Sequence, residues 1–350
     1  MSTADFAAFS NNAIMYASIV YVFAFLAHLL EWSAARSSAT SLVAAENSAA
    51  RPAAAPASLV PREARQTRPA SVDRAAPSSV ASTKGTVNHD SPGDDERAER
   101  WGRIGVLLTV LAVALHFVAL VTRGLGSDPV RVPWGNMYEF TLAGAFGVSV
   151  MYLVLGRRYQ LRWMGLPVTA FEVVVLMLAV LLLYVPAGPL VPALHSYWLV
   201  IHVMAAIIAS GAFAVGAIAS ALYLVKERAL GSGALRSGGY LERLPDLVSL
   251  DRIAYRLHAF GFPIWTFAAL VAGPIWAEYA WGSYWNWDPK EVWAFITWVV
   301  YAAYLHARAT AGWRGRAAAM IALVAFATLL FNFVGINFFF GGGSMHSYAG

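Results

Sequence analysis

Long apolar runs separated by short polar segments recur along most of this chain. Two of them, NNAIMYASIVYVFAFLAHLL at 11–30 and AAAMIALVAFATLLFNFVGI at 317–336, approach or reach the roughly 20 apolar residues that a helix needs to cross a bilayer. Every backbone polar group inside lipid must be satisfied internally, so such spans are helical. The pattern therefore predicts an all-α fold, a polytopic transmembrane helical bundle of about eight spans.

The predicted organisation has three parts. Residues 1–32 form a first transmembrane helix, 33–103 a disordered cytoplasmic linker, and 104–350 a larger membrane domain. The linker prediction depends on the Ala-, Ser-, Pro- and Arg-rich composition of 33–100, which offers too little apolar surface for a core. The predicted spans are 14–30, 104–122, 138–155, 166–185, 197–225, 258–277, 291–308 and 317–336.

Composition supports a membrane protein and excludes several kinds of site. The chain is 59% hydrophobic and 13% charged, about half the charged share of a soluble domain. It has no cysteine, which excludes disulfides, thiolate nucleophiles and Cys-ligated metals. Its pI of about 9.4 could indicate nucleic acid. In a membrane protein, however, basic residues mark cytoplasmic loops, so no nucleic-acid partner is expected.

The distribution of Lys and Arg predicts the orientation. With the N-terminus outside, 22 of the 25 basic residues fall on the inner side, leaving only Arg123, Arg131 and Lys290 outside. This arrangement places both termini outside, together with the loop that contains His195. It also places the stretch 276–295, WAEYAWGSYWNWDPKEVWAF, on the outer face.

Aromatic residues are concentrated in 276–295, which we call the aromatic loop. It holds five of the chain's 13 tryptophans. Tryptophan and tyrosine also gather at membrane interfaces as anchors, which is the simpler explanation of a Trp near a helix end. Here the tryptophans occur in a defined order with glycine, acid, proline and lysine. A surface of aromatic faces suits a large, flat, apolar ligand, whose polar edges an adjacent acid and base could hold.

Histidines outside the apolar runs supply candidate metal ligands. His195, in PALHSYW, and His346, in GGGSMHSYAG, lie in short segments on the same predicted face as the aromatic loop. Two such histidines beside an aromatic surface fit bis-axial ligation of a haem iron, for which imidazole is a usual protein ligand. His202 follows His195 by seven positions, so both would share a face, about 10.5 Å apart, if a helix already ran there.

His306 is predicted to lie near the opposite membrane face. Counted from Glu291, it lies about 22–24 Å along its helix, next to Arg308. A polar helix end meeting head groups is the alternative. The other histidines receive no role: His28 and His116 lie within spans, His258 at the inner end of one, and His89 in the linker. Glu172, an acid within a span, is also unassigned.

The segment WGSYWNWDPKEVWAFITWVVYAAYLHAR resembles the tryptophan-rich WWD signature of haem-handling proteins in cytochrome c biogenesis, specifically the CcsA (ResC-type) subunit of the system II synthase. Further matching segments are HSYWLVIHV at 195–203, PWGNMYEF at 133–140, FGFPIWTF at 260–267 and MHSYAG at 345–350. The likeness covers residue 104 to the C-terminus. Haem-handling proteins of system I share the signature, but WDPKE, YLHAR and the chain length suit system II better.

The resemblance implies roles for named residues. The residues on the signature, which would form an external haem-binding surface, are Trp281, Gly282, Trp285, Trp287 and Asp288. His195 and His346 match the two external ligands of haem iron. His306 matches a membrane ligand whose opposite ligand comes from the partner subunit. Asn136 and Glu139, at the outer start of the third span, are candidates for contacts to haem or substrate, as are Lys290 and Glu291.

The function so implied is haem delivery with covalent attachment. Haem b, as substrate, would be received, presented outside, and joined by thioethers to the CxxCH segment of apocytochrome c. The implied partners are a ResB/CcsB-type subunit and, upstream, a thiol-reducing thioredoxin-like protein. The implied location is the bacterial cytoplasmic membrane. A haem exporter without attachment chemistry is one alternative. An electron-transfer haem subunit is another, although such subunits usually place paired histidines within helices.

Overall fold

The computed structural model describes residues 2–49, 92–159, 161–188, 196–235, 239–340 and 344–346, with side chains omitted at 35–49 and 92–95. Within these ranges the protein is helical and contains no strand. The helices are α1 (Thr3–Ala49), α2 (Pro92–Leu125), α3 (Met137–Tyr159), α4 (Gly165–Leu182), α5 (Tyr197–Gly231), α6 (Tyr240–Arg243), α7 (Leu247–Phe267), α8 (Gly273–Trp281), α9 (Pro289–Ala309), α10 (Arg316–Leu330) and α11 (Ile336–Phe339). A 3₁₀ turn at Leu161–Met164 leads into α4.

Among the described residues, seven helical segments are long and apolar enough to span a membrane. They are 3–34, 96–125, 137–159, 161–182, 197–231, 247–281 and 316–339. The prediction of a polytopic helical membrane protein is confirmed. The helical backbone also enters the predicted linker from both sides, because α1 continues to Ala49 and α2 begins at Pro92. Residues 50–91 lie outside the described residues.

The predicted seventh span, 291–308, corresponds to α9, which has 21 residues but is not among the seven apolar segments. Its packing nevertheless shows that α9 runs alongside α7. The Trp298 indole donates to the Thr266 hydroxyl at 3.0 Å, and at the far end Arg308 pairs with Asp251 at 2.6 Å. Because Asp251 lies near the start of α7 and Thr266 near its end, α9 runs antiparallel to α7.

Helix α5 is the centre of the bundle, in contact with α3, α7, α8 and α10. Helices α1, α2 and α4 pack as a second group beside α3. In that group α1 and α2 are antiparallel, since Ser10 donates to the Ala119 carbonyl at 2.8 Å while His28 lies against Gly105. Small residues allow the close approach: a Cβ on Gly105 would lie 2.7 Å from the His28 ring.

Two π-helical turns interrupt the long helices, at Ala268–Ala272 before α8 and at Phe331–Gly335 before α11. The first has a local cause. Pro274 has no N–H to donate to the preceding turn, and the Gly273 N–H bonds to the carbonyl of Ala268, five residues earlier. Such turns occur frequently at functional sites. Both turns contribute residues to the cavity described below.

Candidate functional site

The aromatic loop folds as a helix end, a short connection and a helix start. Helix α8 ends at Trp281, and Gly282 follows in the left-handed conformation, with φ of 73° and its N–H bonded to the Glu278 carbonyl. Glycine occupies this conformation without the steric cost of a Cβ. Asp288 then caps α9 and forms a reciprocal capping box with Glu291. Gly282 thus ends α8 and Asp288 begins α9, so these two residues define the short connection between the helices.

Asp288 also holds the described part of the C-terminal tail, residues 344–346. Its carboxylate accepts hydrogen bonds from the Ser344 hydroxyl at 2.8 Å, the Met345 N–H at 2.7 Å and His346 Nδ1 at 2.9 Å. Lys290 Nζ donates to the His346 carbonyl at 3.0 Å. The Asp288 side chain is therefore buried, with a residue exposure of only 5%. Burial raises the pKa of Asp288, but the hydrogen bonds from His346, Ser344 and Met345 have the larger combined effect and lower that pKa to about 2.

The tail places His346 among tryptophans and beside a second histidine. The His346 ring lies edge-on to Trp281, 4.5 Å between centroids, and to Trp276, at 5.3 Å. The ring of His202, from the second turn of α5, stacks on Trp276 with centroids 6.0 Å apart. Trp276 therefore lies against both histidines, which are 144 positions apart in the sequence.

The two histidines share a hydrogen-bonding arrangement. Nδ1 of His346 pairs with the Asp288 carboxylate, and Nδ1 of His202 donates to the Ala268 carbonyl at 2.8 Å. That carbonyl belongs to the π turn. Among the described residues, neither ring has a hydrogen-bond partner at Nε2. Metal-ligating histidines nearly always fix one ring nitrogen on a carboxylate or carbonyl in this way, leaving the other to bind.

His202 and His346 both line one cavity of about 490 Å³, which is within the usual size range for a ligand site. Its walls come from α3, α4, α5, the α7–α8 segment, α9 and α10, and they are largely apolar. Along α5 the lining extends from Leu199 to Ala214, about 22 Å at 1.5 Å per residue. Polar side chains are concentrated near the aromatic loop, where Lys290 and Glu291 join the two histidines.

The structure distributes the predicted loop tryptophans between two surroundings. Trp281 packs on His346, whereas Trp285 lines the cavity and meets Trp287 edge-on at 5.9 Å. Trp287 is 72% exposed and has a φ of 56°, which is strained for a bulky side chain. Strain of this kind persists mainly at functional sites. No contact among the described residues explains why the Trp287 side chain is exposed.

His195 lies outside the described residues, so its predicted role stays a prediction. Helix α5 begins at Tyr197, as the predicted span 197–225 has it, with Ser196 as its N-cap. His306 is exposed on α9, two residues before the Arg308–Asp251 pair. Its surroundings and those of His346 are thus at opposite ends of α9.

The side chains of Asn136 and Glu139 are hydrogen-bonded to other groups of the protein. Glu139 is fully buried, and its carboxylate accepts from Arg123 at 2.9 Å, Arg131 at 2.7 Å and the Gly135 N–H at 2.7 Å. Asn136 caps α3 by accepting the Glu139 N–H at 2.9 Å. Neither lines the cavity. Both side chains therefore have structural roles, and the expectation that they contact a ligand stays a prediction.

Removing the Glu139 charge should destabilise the protein strongly. In Glu139→Gln two buried guanidinium groups lose their shared counter-ion, and breaking such a pair costs about 3–5 kcal/mol. We expect a large fall in the unfolding midpoint, measured by thermal or denaturant titration in detergent. Glu99→Gln, at an exposed i,i+4 pair with Arg103, is the control and should change the midpoint little. Equal midpoints for both variants would contradict the assigned role.

Sequence reasoning missed two residues at this site, His202 and Trp276. Trp276 opens the quoted aromatic loop but precedes the signature. His202 carried only the weak signal of its spacing to His195. The remaining buried histidines, His28, His116 and His258, do not line the cavity, and neither does Glu172. No group of three or more His, Cys, Asp or Glu side chains that could hold a metal ion occurs among the described residues.

Comparison with known proteins decides the family. The family described as cytochrome C assembly protein matches residues 134–342, more than half of the chain. This range includes every residue that lines the 490 Å³ cavity except His346. The chain belongs to the cytochrome c assembly protein family. Members similar to it are cytochrome c biogenesis proteins CcsA from Porphyra purpurea, 33% identical over 282 residues, and Synechococcus elongatus, 35% identical over 258 residues. The alignments cover 70% and 62% of this chain, and 87% and 78% of those proteins.

Membership agrees with the resemblance found in the signature residues. It supports a role in cytochrome c biogenesis and cytochrome c maturation, and the seven apolar helices make this family member a multi-pass membrane protein. A family that assembles cytochrome c handles haem. The matched residues include His202, the aromatic loop and His306. His346 lies four residues beyond the matched range.

Proposed function

We propose that this chain is the haem-handling subunit of a membrane cytochrome c synthase, or haem lyase. It receives haem b as substrate, presents it on the outer face and supports its covalent attachment to the CxxCH segment of apocytochrome c. The observation that carries this proposal is the pair of histidines at the mouth of an apolar cavity. Both His202 and His346 have Nδ1 fixed and Nε2 available.

His202 and His346 are the axial ligands in this proposal. The rings lie against the same indole, Trp276, and each is oriented by a different backbone or carboxylate acceptor. Bis-imidazole ligation suits haem iron, and two histidines without a third protein ligand fit it better than a tetrahedral metal ion. His195 remains the alternative partner of His346, and the substitutions described in the Discussion distinguish the two.

The aromatic loop supplies the remaining contacts. Trp281 and Trp285 would pack on the porphyrin, Trp287 on its exposed edge or on the incoming apocytochrome, and Gly282 would permit the sharp turn between them. Asp288 acts through His346 by holding its ring and the tail. Lys290, beside the cavity, would hold a propionate. These residues mainly position the reactants, which is how a protein assists a reaction whose reacting groups belong to cofactor and substrate.

The covalent step needs no external oxidant or reductant. Each cysteine thiol of apocytochrome c adds across a haem vinyl group, forming one C–S bond while the thiol proton completes the former double bond. The apocytochrome histidine then displaces an axial histidine of this chain, releasing the product. A thioredoxin-like protein upstream would keep the cysteines reduced. Imidazole ligation suits this step because the bond between imidazole and iron is exchangeable, and the axial ligand must leave for the product to be released.

Haem would enter through the inner half of the membrane near His306. That side chain is exposed on α9, which supports a second ligand from a ResB/CcsB-type partner packed on the same face. With α9 crossing beside α7, the chain has eight spans. The orientation in the bacterial cytoplasmic membrane then follows the basic loops: both termini and the aromatic loop outside, and the linker inside.

Reconstitution tests the proposal against export alone. The full chain and its ResB/CcsB-type partner are placed in vesicles with haem and reduced apocytochrome c. We expect covalent haem in the denatured cytochrome, detected by haem staining and by the pyridine haemochrome spectrum. Omitting the partner, or replacing both CxxCH cysteines of the client by serine, should eliminate the stain. Outward movement of haem with no thioether product under complete conditions would instead establish an exporter.

A further inference from the structure

A second and larger cavity runs along the side of the bundle and borders the histidine cavity at Ile207, which lines both. We call it the lateral groove; its volume is about 750 Å³. Helix α3 provides its back wall from Ala143 to Tyr159, about 24 Å of helix length. The facing walls come from α2, α5 and α7. The lining of the lateral groove is apolar along nearly this whole length. Neither His202 nor His346 lines it.

Small residues set the depth of the lateral groove. Helices α3 and α5 approach closely at Gly147 and Gly211, where a Cβ on Gly211 would lie 2.8 Å from the Gly147 carbonyl oxygen. A Cβ on Gly147 would come within 2.6 Å of the Ile207 side chain. Because both Gly147 and Ile207 line the groove, its floor is a tight helix crossing with no room for larger side chains.

Two arginines from different helices converge at one end of the lateral groove. Arg158 lies in the last turn of α3 and Arg256 in α7, and both line the groove. The Arg256 guanidinium lies over the Tyr159 ring, 5.7 Å from its centroid. Among the described residues neither arginine has a carboxylate partner, in contrast to Arg162 and Arg308, which pair with Glu31 and Asp251. The end of the groove farthest from His202 is thus cationic and uncompensated.

We propose that the lateral groove binds a phospholipid with an anionic head group, its phosphate on Arg158 and Arg256 and one acyl chain along α3. An apolar slot lined at one end by two guanidinium groups, neither with a carboxylate partner among the described residues, matches a long hydrocarbon chain that ends in a phosphate. Guanidinium binds phosphate by paired charge-assisted hydrogen bonds. Basic pockets between transmembrane helices on the cytoplasmic side bind anionic lipid head groups for the same reason. The bound lipid would fasten α3 to α7 around the central helix α5.

Lipid retention by the full chain provides the test. The protein is purified from its membrane in mild detergent, and phosphatidylglycerol retained per chain is measured by lipid extraction and mass spectrometry. The double variant Arg158→Gln/Arg256→Gln should retain at least about ten-fold less, because two hydrogen bonds to a charged group are lost. The matched control is Arg157→Gln/Arg252→Gln, which alters exposed neighbours on the same helices that do not line the groove. It should retain the wild-type amount.

A second variant tests the acyl-chain part separately. Val150→Trp places a larger side chain in the middle of the lateral groove and leaves both arginines unchanged. It should also lose phosphatidylglycerol, while its helical circular dichroism and elution volume match the wild type. Equal retention by wild type and both groove variants would overturn the proposal. So would displacement of the lipid by inorganic phosphate alone, or haem absorbance that depends on Arg158 and Arg256 but persists in His202→Gly/His346→Gly.

Discussion

Replacing His346 or His202 by glycine should abolish cytochrome c maturation by the full chain and its partner, and added imidazole should restore part of it. Removal of either ring leaves haem iron with one protein ligand. Even loss of a residue that only orients a metal ligand costs about 10–100-fold in affinity or activity, and loss of the ligand itself should exceed that. Covalent haem in the client cytochrome is the measurement, made with and without imidazole.

Controls separate ligation from folding and from the competing assignment. His89→Gly, in the predicted linker, should mature cytochrome c normally. His195→Gly should do the same if His202 is the ligand. The reverse result, with His202→Gly active and His195→Gly inactive but rescued by imidazole, would show that the sequence-based assignment of His195 is correct. Normal maturation in His346→Gly without imidazole would contradict both assignments.

Asp288→Asn should lower haem retention and maturation by about 10–100-fold while leaving α9 intact. Asparagine is as good an N-cap as aspartate, so the start of α9 is preserved. The amide, however, is a weaker acceptor for His346 Nδ1 and cannot satisfy the hydroxyl, the backbone N–H and the ring together. Haem absorbance per chain and covalent product are the measurements. Glu278→Gln, in the same loop region, is the control.

Docking of the tail can be followed by a single introduced cysteine, since the chain has none. A maleimide should label Met345→Cys faster when combined with Asp288→Asn. In the otherwise unchanged protein the pKa of Asp288 is about 2, below its usual 3.8. A depressed carboxyl pKa contributes stability that is complete above pH 3.8 and is lost as the pH falls through about 2. The labelling rate should therefore stay constant between pH 5 and 8 after correction for thiol ionisation. Equal rates in both backgrounds would contradict the clamp.

The local pattern of this sequence was sufficient for most of the helices. Apolar length predicted eight spans, and seven of them correspond to apolar helical segments among the described residues. Lipid requires internal hydrogen bonding, and that requirement acts on each segment separately. The capping residues of the aromatic loop are also local in the chain: Gly282 ends α8, and the D-P-K-E order at 288–291 begins α9. The ends of α1 and α2 were misjudged, because composition alone does not show how far a helix continues beyond the bilayer.

Packing decided which polar side chains meet. The sequence presented Glu139 as an acid on the outer side, but only the fold brings Arg123 and Arg131 onto it. His202 appeared as an unassigned residue within a span. Its Nδ1 acceptor, Ala268, is 66 positions away and is exposed by a π turn that sequence periodicity does not reveal. Contacts of this kind depend on helix register, which is set by the summed packing of the bundle.

By itself the sequence determined the class of protein, the helical segments and the family to which the signature belongs, since these depend on composition and on residues adjacent in the chain. Only the tertiary structure decided that Asp288 orients His346, that Trp276 contacts both His346 and His202, and that two arginines line one end of the lateral groove. The physical reason is that an axial pair, a carboxylate clamp and a phosphate site all need groups from distant helices within a few ångströms, and spacing along the chain does not specify that distance.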